Sequence, residues 1–179
     1  HCIDSWEKYC PEYEIICWDE SNFDVNALRF TREAYQEKAW AFISDYVRLY
    51  ALYNHGGIYM DADFELLQNL DNILEHNKAF TGYQGRSIPA AIIGSETGNI
   101  WIKELLEYYD NRKFILQKNK KDTETNSRII SKISYKEFGF VYGDTIIKNG
   151  DVRIYPHEFF APISKKVIPH STAASERKY

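Results

Sequence analysis

One stretch of the chain, residues 44–63, constrains the fold more than any other. It reads SDYVRLYALYNHGGIYMDAD. Apolar residues recur at helical spacing up to Asn54, two glycines follow, and residues 58–60 form a short apolar run. Because glycine adopts the left-handed conformation in which helices commonly end, this order predicts a helix, a break and a buried strand. Two carboxylates, Asp61 and Asp63, come directly after that strand.

The spacing of these carboxylates is compatible with a metal site. In an extended strand, residues i and i+2 point the same way and lie about 7 Å apart, so Asp61 and Asp63 would face one cation. Carboxylate oxygens are hard ligands that suit a divalent cation, directly or through water. Short acidic triplets also occur by chance in surface loops, and that alternative stays open for the triplet alone. The preceding glycines and apolar strand favour the metal site.

The predicted helix carries a second charged pair, Asp45 and Arg48, spaced i, i+3 on one face. Beside a metal-bound diphosphate, an arginine would neutralise phosphate charge and an aspartate would accept hydrogen bonds from sugar or ribose hydroxyls. The alternative is a surface ion pair that contributes less than about 1 kcal/mol. Taken alone, the spacing favours the ion pair.

The rest of the chain alternates between strand-like and helix-like segments. Either Asp24 or Thr31 is predicted to cap the second helix. Predicted strands are 13–18, 58–60, 79–83, 90–94 and 152–155, and predicted helices are 2–10, 33–54, 100–109 and 127–133. This alternation predicts an α/β domain with a mainly parallel central sheet, in which ligands bind beyond the carboxyl ends of the strands. Asp61 and Asp63 fall at such an end.

Composition narrows the classes of function. The 179 residues are enough for one domain. The net charge is −4 and the only basic block is 118–121, so the sequence does not favour nucleic acid as a partner. Cys2, Cys10 and Cys17 show no paired spacing, which predicts free thiols in a reducing compartment. No apolar run has transmembrane length. Aromatic residues make up 16% of the chain and could either line a carbohydrate site or fill the core.

Several runs together resemble the family 32 glycosyltransferases, the DXD-containing sugar transferases common in capsular polysaccharide clusters. These proteins are related to the yeast initiating mannosyltransferase and distantly to the clostridial glucosylating toxins. The most specific element is S-D-x-x-R followed by G-G-x-Y-x-D-x-D, within residues 44–63. The other matching runs are 2–6, 13–19, 41–48, 53–63, 91–94, 128–130, 154–156 and 159–162.

The resemblance implies a GT-A-type, Rossmann-like fold and transfer of a sugar from a nucleotide donor with retention of configuration. It implies that Asp63 ligates Mn²⁺ or Mg²⁺ directly. Asp61 would contact the metal through water or bind the donor's ribose. Asp45 would hold donor-sugar hydroxyls, and Arg48 would hold the sugar or phosphate.

The chain departs from the family's pattern near both ends. The family opens with a strand of the type I-P-K-x-I-H-x-x-W that lines the base pocket, so residues 1–179 are expected to be one domain lacking that strand. The family's closing I-H-H-x-x-x-S-W corresponds to residues 168–175 here, which makes His170 a candidate diphosphate or metal contact, or a plain tail histidine. His55 and His157 are expected to be structural or surface residues.

The first hypothesis is therefore a retaining, metal-dependent hexosyltransferase of bacterial polysaccharide assembly. It would use a UDP- or GDP-sugar donor and a glycan or lipid-linked acceptor, in the cytoplasm or at the inner face of the membrane. The second hypothesis is a non-catalytic GT-A-like nucleotide-sugar-binding or assembly module. A third, a nucleotidyltransferase or phosphohydrolase using Mg²⁺, is disfavoured because the chain has no glycine-rich phosphate loop.

Overall fold

The computed structural model describes residues 1–142 and 152–160. The helices are α1 (Cys2–Tyr9), α2 (Arg29–Gln36), α3 (Trp40–His55), α4 (Asp71–Leu74), α5 (Ile100–Glu107), α6 (Asn126–Glu137) and α7 (His157–Phe160). The strands are β1 (Gly57–Met60), β2 (Ala79–Gly82), β3 (Ile92–Ser95) and β4 (Val152–Tyr155). The predicted α/β class is confirmed.

The described sheet has four strands in the order β1-β3-β2-β4 and is mixed. β1 and β2 both pair antiparallel with β3, and only the β2–β4 pairing is parallel. The prediction of a mainly parallel sheet is thus only partly borne out. Residues 83–91, between β2 and β3, are too few for the crossover of about a dozen residues that parallel neighbours need. The longer connection to β4 contains α5 and α6 and allows the parallel pairing.

The strand predicted at 13–18 is wrong, because that segment is irregular. Tyr13, Ile15 and Ile16 are exposed, with 56% of the surface of Ile16 accessible. Strand preference reflects packing against neighbouring strands, and no described strand pairs with this segment.

The single helix predicted at 33–54 is two helices. The chain breaks between α2 and α3 at Lys38, whose φ of 55° lies in the left-handed region. Neither Asp24 nor Thr31 caps α2, since Leu28 is its N-cap. The Thr31 hydroxyl lies in the first turn and donates to the Val25 carbonyl at 2.8 Å, while Asp24 closes a local turn.

Gly56 ends α3 where the sequence predicts. Its φ of 70° is positive, although its ψ of −161° belongs to an extended conformation open essentially to glycine rather than to the left-handed helical region. A Cβ there would lie 3.0 Å from the Ser95 carbonyl oxygen and 3.0 Å from the Thr97 nitrogen. Glycine is thus required for both its conformation and its size, and it directs the chain into β1.

Apolar side chains cover both faces of the sheet, because successive residues of a strand point to opposite sides. Ile93 and Ile154 face the larger core, which contains α2, α3, α5 and α6, whereas Ile92 and Tyr155 face a smaller core. The smaller core includes Leu66, Leu70, Ile73 and Phe80. α3 is therefore held against the sheet on one face, and this positions the charged residues of its second and third turns.

Cys2, Cys10 and Cys17 are free thiols, as predicted. Within 1–142 and 152–160, no helix combines the length and hydropathy needed to cross a membrane.

Candidate functional site

Arg48 joins the two charged pairs that the sequence indicates. It is 8% exposed, and its Nη2 lies 3.1 Å from Oδ1 of Asp45 on the same helix. Its Nη1 lies 3.4 Å from Oδ1 of Asp61, which follows β1. The alternative of an exposed ion pair does not describe this arrangement, because Asp45 is only 15% exposed. The structure thus brings Asp45, Arg48 and Asp61 together.

Further contacts fix the orientation of the Arg48 guanidinium. Nε donates to the Ser44 carbonyl at 3.1 Å, and Nη1 donates to the Ala90 carbonyl at 3.1 Å. The guanidinium carbon lies 4.5 Å from the centre of the Tyr59 ring, a favourable cation–π distance. Contacts from α3, β1 and the segment before β3 therefore hold Arg48 in place.

Asp61, Ala62 and Asp63 form a turn rather than an extended strand. The Asp61 N–H still donates to the Ala91 carbonyl at 2.9 Å, in line with the ladder. The chain then turns back, and the Phe64 N–H donates to the Asp61 carbonyl at 2.8 Å. The expectation of an extended strand through Asp63 is wrong, because the ladder ends at Asp61 and the next two residues lie in a turn.

The two carboxylates of the turn have different surroundings. Asp63 is exposed, and among the described residues it has no hydrogen bond or ion pair. Oδ1 of Asp61 accepts a 2.7 Å hydrogen bond from the Tyr59 hydroxyl. Burial raises the pKa of Tyr59 above its ordinary value, which keeps the hydroxyl protonated as a donor. Asp61 is therefore oriented by the protein, whereas Asp63 is open to a ligand.

Burial also governs the carboxyl of Asp45. It raises the pKa of Asp45, while the Arg48 charge and the Asn126 main-chain N–H act in the opposite direction. The Asn126 side chain donates through Nδ2 to the Asp45 carbonyl at 3.0 Å and to the Tyr109 hydroxyl at 3.0 Å. The sequence does not predict this role of Asn126, because it begins α6, 81 residues after Asp45, and no local spacing connects the two.

The residues present fit a divalent cation only as part of a larger set of ligands. No cluster of three or more acidic, histidine or cysteine side chains that could hold a metal occurs within 1–142 and 152–160. Asp63 and the second oxygen of Asp61 offer hard donors, as Mn²⁺ and Mg²⁺ require. Such an ion commonly completes its coordination with substrate phosphates and water, so this donor set suits a cation that binds with a diphosphate.

Within the described residues, no histidine contacts Asp45, Arg48, Asp61 or Asp63. The candidate contact His170 lies outside the described residues. His157 accepts a 3.2 Å hydrogen bond from the Gly85 N–H through Nδ1, and the His55 ring lies 5.4 Å from that of Trp18. Both contacts agree with the expectation of structural or surface roles.

Comparison with known proteins bears on the same part of the chain. Residues 1–80 match the family model for the glycosyltransferase sugar-binding region containing the DXD motif. This match supports a glycosyltransferase family. The matched range is a little under half of the 179 residues, and it includes Asp45, Arg48 and the Asp61–Asp63 turn. No curated protein matches the chain, and no solved structure matches it.

Proposed function

We propose that this chain is a retaining, metal-dependent hexosyltransferase that moves a sugar from a nucleotide diphosphate to a glycan or lipid-linked acceptor. The observation that carries the proposal is Arg48, a buried cation placed between Asp45 and Asp61, with the exposed Asp63 two residues farther along the chain. One of its two carboxylate partners, Asp61, is 36% exposed and can therefore still reach a ligand.

Each residue has a role that follows from its surroundings. Asp63, exposed and unpaired among the described residues, is the direct ligand for Mn²⁺ or Mg²⁺. Asp61, held by Tyr59 and Arg48, contacts the metal through water or binds the donor's ribose. The Asp45 carboxylate accepts hydrogen bonds from donor-sugar hydroxyls, and Arg48 adds a forked positive charge for the sugar or phosphate.

The bound cation would supply Lewis-acid stabilisation of the diphosphate leaving group. The protein's own contribution is positioning, because the Arg48 guanidinium already has its hydrogen bonds before substrate arrives. No side chain of the described site is assigned as a nucleophile. Attack by the acceptor on the leaving-group face of the sugar fits retention of configuration.

The finer assignment rests on the sequence resemblance to glycosyltransferase family 32. That resemblance supports a role in bacterial capsular polysaccharide synthesis, in the cytoplasm or at the inner face of the membrane. It also supports a GT-A-type fold with a UDP- or GDP-sugar as donor, and His170 as an additional donor contact.

Calorimetric titration with UDP and then GDP, each with and without Mn²⁺, tests the donor site. We expect binding that requires Mn²⁺ and is lost in Asp63→Ala, since that substitution removes the open carboxylate. Asp110→Ala is a matched control, because Asp110 is also exposed but lies in the turn after α5. Nucleotide binding that is equal with and without metal, or unchanged in Asp63→Ala, would contradict the proposal.

A further inference from the structure

Two aromatic rings stand in solvent at the break between α2 and α3. Trp40, the first residue of α3, is 54% exposed, and Tyr35, near the end of α2, is 36% exposed. Their ring centres lie 5.2 Å apart with an angle of 79° between the rings. The edge of one ring therefore supports the other while much of the indole stays open. This pair can offer a ring face to a ligand.

The aromatic pair lies at the start of α3, the helix that carries Asp45 and Arg48 of the proposed donor site. Trp40, Ser44 and Arg48 are spaced i, i+4 and i+8, so they form one row along the helix. Nη2 of Arg48 donates to Oγ of Ser44 at 3.3 Å, which connects the last two members of that row. At a rise of 1.5 Å per residue, Trp40 lies roughly 12 Å along the helix from Arg48. A ligand on the indole would adjoin the donor without overlapping its sugar.

A cavity of about 590 Å³ extends this surface, because Tyr35 lines it as well. The other lining residues are Glu20, Ser21, Asn22, Phe23, Asp24, Val25 and Asn26. The lining offers carboxylates, amides and a hydroxyl, and it contains no lysine, arginine or histidine. Two carboxylates and no cationic side chain make this lining unfavourable for phosphate, whereas its carboxylates and amides can hydrogen-bond to hydroxyl groups.

Resting on the proposed function, we propose that Trp40, Tyr35 and this cavity bind the acceptor glycan. The indole would stack on the C–H face of a pyranose ring, and the polar lining would hold the hydroxyls of an adjoining part of the chain. A neutral, polyhydroxylated ligand satisfies both surfaces, whereas a nucleoside diphosphate satisfies only the ring.

Saturation-transfer NMR can test this site with four methyl glycosides as probes: those of glucose, galactose, mannose and N-acetylglucosamine. We expect saturation of ring C–H protons of at least one glycoside in the wild type, loss of that signal in Trp40→Ala, and its retention in Trp40→Phe. Tyr142→Ala is the matched control, because Tyr142 is 51% exposed and also makes an edge-on ring contact, with Tyr83.

The outcomes separate this inference from the donor-site proposal. No saturation of any glycoside, or an unchanged signal in Trp40→Ala, would overturn the glycan site while leaving metal-dependent nucleotide binding untouched. Loss of UDP and GDP binding in Trp40→Ala would also overturn it, since the indole would then be holding the nucleotide base. Glycoside binding that depends on Trp40 in a protein that binds no nucleotide would support the glycan site and reject the donor site.

Discussion

Two buried arginines, Arg48 and Arg112, make similar contacts, but we assign a binding role to Arg48 and a structural role to Arg112. They are 8% and 9% exposed, and each is paired with at least one carboxylate and lies over at least one aromatic ring. Nε of Arg112 lies 2.7 Å from Oδ2 of Asp122, which is 20% exposed, and Nη2 donates to the Glu124 carbonyl at 3.0 Å. Burial and pairing alone thus do not distinguish a functional arginine from a structural one.

The difference lies in what surrounds the charge. The Arg112 guanidinium lies 4.6 Å from the Phe30 ring centre and 5.1 Å from that of Tyr109, so aromatic groups enclose it. Arg48 has one such ring, Tyr59, and adjoins a carboxylate that is open to solvent. A binding role requires an arginine whose partners can still reach a ligand. Asp61 beside Arg48 is 36% exposed against 20% for Asp122 beside Arg112, so of these two arginines we assign the binding role to Arg48.

The largest expected effect comes from removing either charge. Arg48→Ala and Arg112→Ala should each lower the free energy of unfolding by about 3–5 kcal/mol, because each leaves a largely buried carboxylate without its partner. Urea unfolding monitored by circular dichroism measures this loss. Calorimetry at low temperature, where both variants stay folded, should show metal-dependent nucleotide binding in Arg112→Ala only.

Arg128→Ala is the control for this pair, because its side chain is 80% exposed and its contact with Glu124 is 3.8 Å long. It should unfold like the wild type, as exposed ion pairs contribute little. If Arg48→Ala kept its nucleotide binding, or Arg112→Ala lost it while folded, the proposed division between the two arginines would be wrong.

The paired aspartates should respond to pH in opposite ways. The hydrogen bond from Arg112 lowers the pKa of Asp122, so its stabilisation is present above the ordinary value near 3.9 and is lost as pH falls through the lower folded value. Burial raises the pKa of Asp45, so its ionisation costs stability as pH rises from the ordinary value through the higher folded value.

Asparagine substitutions measure both effects. At pH 7, Asp122→Asn should lose about 1.5 kcal/mol, near the lower end for a hydrogen bond between charged groups. Asp45→Asn should be as stable as the wild type or more stable at that pH. In both comparisons the difference from the wild type should diminish in acid. Thermal unfolding from pH 3 to 7 is the measurement, and a loss of stability in Asp45→Asn at pH 7 would contradict the role of burial.

The sequence was most informative where function depends on local spacing. Asp45 and Arg48 are one helical turn apart, and the glycine pair marks the end of that helix, so both features could be predicted. The turn at Asp61–Asp63 was not predicted, because it depends on where the β1–β3 ladder ends. Asn126 was missed because only the packing of α6 brings it to Asp45.

The same distinction between local and long-range features explains why two sequence predictions about the fold are wrong or only partly right. Alternating elements predict a parallel sheet, but the direction of β3 depends on a connection too short for a crossover. The strand at 13–18 was inferred from residue preference, and preference is insufficient where no neighbouring strand supplies a partner. Long-range pairing, which a single sequence does not display, decided both cases.

The smallest expected effect separates two tyrosines, one beside each arginine. Tyr59 donates to Asp61 at 2.7 Å, and Tyr109 accepts from Asn126 at 3.0 Å. Tyr109→Phe should lower the free energy of unfolding by about 1 kcal/mol, the usual net value of one hydrogen bond, without changing nucleotide binding. Tyr59→Phe should lower stability less, because water can reach Asp61, but it should weaken metal-dependent nucleotide binding since Asp61 loses the group that orients it. Calorimetry measures nucleotide binding and urea unfolding measures stability in both variants. If Tyr59→Phe bound nucleotide as tightly as the wild type, the hydroxyl would not position Asp61 for binding.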